Sequence, residues 1–147
     1  MVFARTAAAA LLLGFPHVTV AQVAGERAAS GCVSLGAPQS RVSATGRLTL
    51  RRFAGAPNHR SIAAGDAPER TFILELPSSA CIDDGGDFAN PSERFATVHV
   101  SARDPALLRA LRAARGRRVT VSGEGVASHT GHHRAPLVIL ADRVTVR

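Results

Sequence analysis

Asp104-Pro105-Ala106-Leu107-Leu108-Arg109-Ala110-Leu111-Arg112-Ala113-Ala114-Arg115-Gly116 is the stretch of this chain where apolar residues leave a period of two for a helical spacing. Asp104 is a good N-cap, and Pro105 fits the first helical turn, where its missing N–H costs nothing. Leu107, Leu108 and Leu111 make one apolar stripe. Arg112 and Arg115 suit the C-terminal end of the helix dipole, and Gly116 supplies a left-handed stop. On both sides the period is two. Upstream, Val42, Ala44, Gly46, Leu48 and Leu50 alternate with Ser43, Thr45, Arg47 and Thr49, which predicts a half-buried strand. Its phase slips at Arg51-Arg52 before Phe53, predicting a bulge or the strand's end, and Gly46 predicts a sharp bend. Phe72, Leu74 and Leu76 share one face of a second strand that Pro77 is expected to end. Ala96, Val98 and Val100 share a face of a third. Downstream, a fourth strand turns Val119 and Val121 inward, with Gly123 and Gly125 permitting curvature. A fifth, from Leu137 to Val146, is apolar enough at its start, through Ala141, to be buried on both faces.

Three strands, a helix and two more strands is the order of the oligonucleotide/oligosaccharide-binding (OB) barrel. The expected fold is therefore mainly β, a small five-stranded OB-fold-like Greek-key barrel over residues 40–147 with one helix between strands three and four. Such barrels bind ligands on the face of strands two and three and with the connectors between strands one and two and between four and five. Composition sets the bounds. The chain has 147 residues, 46% of them hydrophobic, which suits one domain with one core. No apolar run reaches the roughly 18–20 residues of a membrane-spanning helix. All 18 basic residues are arginine, the net charge is +7, and 27 residues are alanine, a pattern that a GC-rich coding sequence tends to produce. The basic balance is therefore read as a solvated surface. A nucleic-acid partner is not expected, because beyond the first 21 residues only Phe53, Phe72, Phe88 and Phe95 could serve as stacking platforms.

The first residues read as an address. Arg5 precedes an apolar run from Ala7 to Phe15, and Thr19-Val20-Ala21 places compact residues at a cleavage site. This predicts a secretory signal peptide over residues 1–21, cleaved near Ala21 with Ala24 as a second choice, and hence a periplasmic or secreted bacterial protein. Gly14 and Pro16 argue against a buried N-terminal helix. Ala29-Ser30-Gly31-Cys32 resembles a lipobox, but Glu26 and Arg27 separate it from the apolar run. Residues 22–39 are expected as a linker carrying Cys32. In an exported chain, Cys32 and Cys81 most economically form a disulfide with each other. A metal pair is disfavoured, since there is neither a CxxC spacing nor a third thiol.

Two connectors concentrate polar chemistry. The first, between strands one and two, holds Gly55, Pro57, Asn58, His59, Asp66 and Glu69. The second, between strands four and five, is Ser128-His129-Thr130-Gly131-His132-His133-Arg134-Ala135-Pro136. A two-residue turn at Thr130-Gly131 would oppose His129 and His132 on one face and send His133 to the other. An opposed imidazole pair chelates zinc or copper, with Asp66, Glu69 or His59 as a third ligand if the connectors meet. Two other readings stand beside the metal pair His129/His132. One is ligand binding without metal by Asn58, Asp66, Glu69, His129, Thr130, His132 and His133. The other is a structural role in which the histidines cap the hairpin through hydrogen bonds. Asp83-Asp84-Gly85-Gly86-Asp87 lacks calcium-loop spacing and reads as a solvated turn.

The same residues carry a resemblance. Pro57-Asn58-His59-Arg60-Ser61-Ile62 with Gly65-Asp66-Ala67-Pro68-Glu69 resembles the first signature of an uncharacterised bacterial family, domain of unknown function 4431. Val119-Thr120-Val121-Ser122-Gly123 followed by His129-Thr130-Gly131-His132-His133-Arg134-Ala135-Pro136 is similar to its second. Cys32 and Cys81 fall where that family tends to have cysteines. The resemblance runs from about Cys32 to Val146, and departs from the signature at His59, where Tyr is expected. It implies export and a small β-rich domain, and no activity.

For catalysis, Ser128 or Thr130 near His132 with Asp66 or Glu69 behind could be drawn as a hydrolase. No nucleophile-elbow or metalloprotease motif supports that drawing. The expected function is an exported binding module for an envelope or extracellular ligand, an anionic glycan among them, with its site in the two connectors. The alternatives are a histidine-dependent metal-binding protein or metal-assisted hydrolase, and a purely structural envelope domain.

Overall fold

A computed structural model describes residues 22–147. The expected signal peptide and its cleavage site lie outside the described residues. The fold is mainly β with one short helix. In chain order the elements are β1 (Val23–Ala24), β2 (Val33–Ser34), β3 (Arg41–Ala54), β4 (Pro68–Ala80), β5 (Ile82–Asp83), β6 (Phe95–Ser101), α1 (Pro105–Ala113), β7 (Arg118–Ala127) and β8 (Leu137–Val146). No helix among the described residues is long and apolar enough to cross a membrane.

The five long strands pair in succession. β3 pairs antiparallel with β4, β4 antiparallel with β6, β6 parallel with β8, β8 antiparallel with β7, and β7 antiparallel with β3. β3 serves two neighbours because it is long: residues 41–47 face β7 and residues 47–54 face β4. The change of partner falls beside Gly46, the residue where the sequence predicts a bend. A Cβ on Gly46 would lie 2.2 Å from the Glu75 carbonyl oxygen, so only glycine lets the strands approach so closely there.

Strand alternation builds the core. Val42, Ala44, Leu48, Phe72, Leu74, Val98, Val100, Val119, Val121, Leu137 and Ile139 point inward, and Leu111 of α1 packs among them. Removing each such side chain from water contributes roughly 1.5–3 kcal/mol. α1 forms as its sequence requires: the Asp104 carboxylate accepts the Leu107 N–H at 2.7 Å, Pro105 opens the first turn, and Gly116 adopts φ 83° beyond the end.

Four details depart from the sequence reading. β3 runs through Arg51-Arg52 in unbroken register with β4, because backbone pairing outweighs the slip in the apolar pattern. β4 begins earlier than expected, at Pro68, and passes Pro77 to reach Ala80, its pairing with β6 becoming irregular between Glu75 and Ala80. In β8, Leu137, Val138 and Ile139 are buried on both faces, whereas Leu140 is 38% exposed. Residues 22–39, read as a linker, carry β1, which pairs with β3, and β2, which pairs parallel with β5. Val23 and Val33 join the core. Cys32 and Cys81 form the expected disulfide beside the β2–β5 pair, with 49 residues of separation. The acidic stretch at residues 83–87 is a braced turn, in which the Asp84 carboxylate accepts the N–H groups of Gly86, Phe88 and Ala89.

Candidate functional site

The first connector, residues 55–67, is folded around one carboxylate. Asp66 is buried, and its oxygens accept the backbone N–H groups of Asn58 at 2.8 Å, Arg60 at 2.7 Å and Ser61 at 2.8 Å. Those bonds stabilise the ionised form and lower its pKa to about 2. Asp66 and the Asn58 backbone are thus spent on bracing the loop. The loop also sets His59 at φ 58°, a left-handed conformation that residues with a side chain seldom adopt.

The second connector closes differently from the expected two-residue turn. The Ser128 N–H donates to the Pro136 carbonyl, and the His133 N–H donates to the Thr130 carbonyl, so Gly131 and His132 occupy the centre of the turn. That one-residue shift undoes the His129/His132 opposition. His129 instead turns toward His133, with ring centroids 4.7 Å apart, and toward the exposed Phe88 at 5.4 Å. The His129 Nδ1 bonds the Ala127 carbonyl at 2.9 Å, and its backbone N–H donates to His133 Nδ1 at 3.1 Å. His129 thus pairs with His133 at the base of the hairpin and not with His132.

The two connectors do meet, which is the condition the sequence reading set. His132 stands edge-on to His59, ring centroids 4.2 Å apart at 71°. Gly131 lies so close that a Cβ there would sit 3.3 Å from the His59 ring. Arg134 ties the two together. Its Nη2 donates to the Ala54 carbonyl at 2.6 Å, to Glu69 Oε2 at 3.0 Å and to His59 Nδ1 at 3.2 Å. Its guanidinium lies 5.3 Å from the centre of the Phe53 ring. The Arg134 side chain is 8% exposed, so its ion pair with Glu69 is far less screened than an ordinary surface pair.

Arg134 also reaches the outer face of the sheet. Its backbone N–H approaches His99 Nδ1 at 3.4 Å. Ile73, His99 and Val138 are neighbours across β4, β6 and β8 on the face opposite the core, and all three are buried. Burial first, and then the nearby His133, lower the His99 pKa to about 4, so this imidazole is neutral at physiological pH. His133 is lowered too, by burial and then by its histidine neighbours.

Of the residues singled out from sequence, Glu69 and His132 come together, joined by His59. Their ligand atoms lie within 4.8 Å of one another. Asn58 and Asp66 belong to the loop brace, Thr130 opens the turn, and His129 and His133 stand apart as a pair. No Ser or Thr hydroxyl hydrogen-bonds a histidine among the described residues. Arg134, Phe53 and His99 were missed as site residues. Arg134 had one signal: it interrupts a loop otherwise rich in histidine and small residues.

A cleft of about 630 Å³ opens beside this rim, between α1 and the ends of β4 and β6. Glu69 and His99 line it on the rim side, Leu50 and Phe72 are among its apolar residues, and Arg70, Arg112 and Arg115 supply cationic groups. These three arginines form no salt bridge among the described residues.

The fold and rim thus define a small disulfide-linked β domain with a polar site at the junction of two connectors. Residues 97–145 match the model of a family described only as a domain of unknown function, DUF4431, and over that stretch, from within β6 through β8, the chain resembles it. No curated protein matches the sequence.

Proposed function

We propose that this chain is an exported binding module on a five-stranded OB-type Greek-key barrel, and that it takes an anionic envelope glycan. The ring of pairings β3-β4-β6-β8-β7-β3, with α1 between β6 and β7, supports the barrel reading. The leader-like N-terminus and the Cys32–Cys81 disulfide support export to an oxidising compartment. The observation that carries the reading is the single rim made by the two connectors, opening onto the cleft with Arg70, Arg112 and Arg115. Glu69 is neutralised by Arg134, so the net charge facing a ligand there is positive. Phe53 beside Arg134 and Phe72 in the cleft are partly or fully buried, so neither is a stacking platform for a single-stranded nucleic acid.

The test is co-sedimentation of the purified protein with insoluble bacterial wall polysaccharide at low salt, in the presence of a chelator. The protein should pellet with the polysaccharide and be released by salt, since exposed charges are screened. The double variant Arg112→Gln and Arg115→Gln should remain soluble in the supernatant with a nearly unchanged melting temperature. Equal sedimentation of wild type and variant would overturn the glycan reading.

A further inference from the structure

We infer that His59, His132 and Glu69 form a binding site for a divalent transition-metal ion, zinc or copper(II). The inference rests on the joined rim and does not require the glycan. Two imidazoles and a carboxylate are a donor set that both metals accept, and three protein ligands leave a fourth position for water or a ligand. His59 comes from the first connector, Glu69 from the start of β4 and His132 from the second connector, and their ligand atoms converge within 4.8 Å. Ligands bound at about 2.0–2.2 Å from one zinc ion stand a little over 3 Å apart, so the site must contract. His132 can supply that movement, because it sits on the exposed turn and its ring makes no protein hydrogen bond among the described residues.

The other two ligands are held in place. His59 occupies a left-handed backbone position, packed against Gly131, inside a loop that Asp66 braces with three N–H bonds. Such a conformation costs energy and persists only where the surroundings impose it. Glu69 is fixed through Oε2 by Arg134, and its Oε1, which accepts only a long bond from the Thr71 hydroxyl at 3.5 Å, keeps a lone pair for an ion.

Arg134 sets the strength of the site. It can only donate, so the hydrogen bond at 3.2 Å makes His59 Nδ1 an acceptor and places the neutral ring's proton on Nε2. A ring in that state offers no free lone pair. A metal ion must therefore compete with Arg134 for His59, while Arg134 keeps Glu69 and the Ala54 carbonyl. That competition, and a guanidinium so near the ion, weaken the site relative to closed structural zinc sites.

The experiment is calorimetric titration of chelator-stripped protein with zinc chloride and with copper(II) chloride in a non-chelating buffer at pH about 7.5. One ion should bind per chain with a micromolar Kd. His59→Asn, His132→Ala and Glu69→Gln should each weaken binding at least about tenfold, the loss that even an outer-shell partner's removal can cause. His129→Ala should leave it unchanged. Asn tolerates the left-handed backbone at position 59, and His132 lies on an exposed turn, so both variants should keep the parent's melting temperature. The copper form should show two imidazole nitrogens by electron paramagnetic resonance. No binding at micromolar concentrations, or a loss caused by His129→Ala and not by His59→Asn and His132→Ala, would overturn the assignment. Glycan sedimentation is measured under chelation, so either result can fail while the other stands.

Discussion

Asp66, at the end of the first connector, and Glu69, at the start of β4, lie three positions apart, yet the structure gives them opposite employments. Asp66 is turned inward onto the Asn58, Arg60 and Ser61 amides, and Glu69 is turned to the rim and Arg134. A carboxylate held by several N–H groups is a stabilising charge, and its pKa near 2 lies below the ordinary 3.8. Because the folded-state pKa is depressed, its contribution is fully present above the unfolded value and is lost as pH falls from about 4 toward about 2. Asp66→Ala should therefore lower the melting temperature by several degrees at neutral pH, and the gap from wild type should close over that acid window. A variant that melts with wild type at pH about 7 would show that the loop holds its shape without this brace. Asp66→Asn should recover part of the loss, because its amide oxygen can still accept from one or two of the same backbone groups.

At the scale of elements, α1 matters because it carries Arg112 to the cleft and the turn that follows it carries Arg115. Only nine residues long, it cannot be stable alone and depends on its caps and on Leu111 in the core. Asp104→Ala removes the acceptor for the Leu107 N–H and should cost about 1 kcal/mol in chemical denaturation, with little change in the slope of the transition. A cost near zero would mean that packing of Leu111 holds the first turn unaided. β3 makes the complementary point. Its length lets it pair with β7 at one end and β4 at the other, and Gly46 is the residue that permits the exchange.

For the whole molecule, the disulfide joins the N-terminal segment to the end of β4. Its closed loop spans 49 residues, which in the chain-entropy model corresponds to about 4 kcal/mol of stability. The double variant Cys32→Ser and Cys81→Ser should fall in urea stability by about 2–4 kcal/mol and keep its strand content by circular dichroism. Val33 and Val23 would still be drawn to the core, so the loss should be one of stability and not of architecture. Unaltered urea stability would indicate that strand pairing by β1 and β2 already restrains the segment.

Much of the architecture was legible from short-range pattern. The alternation from Val42 to Leu50 gave away β3, and Asp104, Pro105 and Gly116 bracketed α1, because side-chain periodicity and capping are local properties of the backbone. The cysteine pairing was legible because two thiols admit one intramolecular bridge. The candidate site was only half legible. Its two connectors could be named, but which histidines face each other could not. A shift of one residue in the turn at Thr130–His133 sends His132 to His59 and His129 to His133, and that shift is set by hydrogen bonds and by packing against the other connector. Arg134 became central for the same reason: its charge is worth most where tertiary burial removes water from around it, and burial is a property of the assembled fold. The sequence alone thus determined the five long strands, the helix and the crosslink, whose causes lie within a few residues or a single pairing choice. Only the tertiary structure decided the rim, because its geometry comes from contacts between segments far apart in the chain.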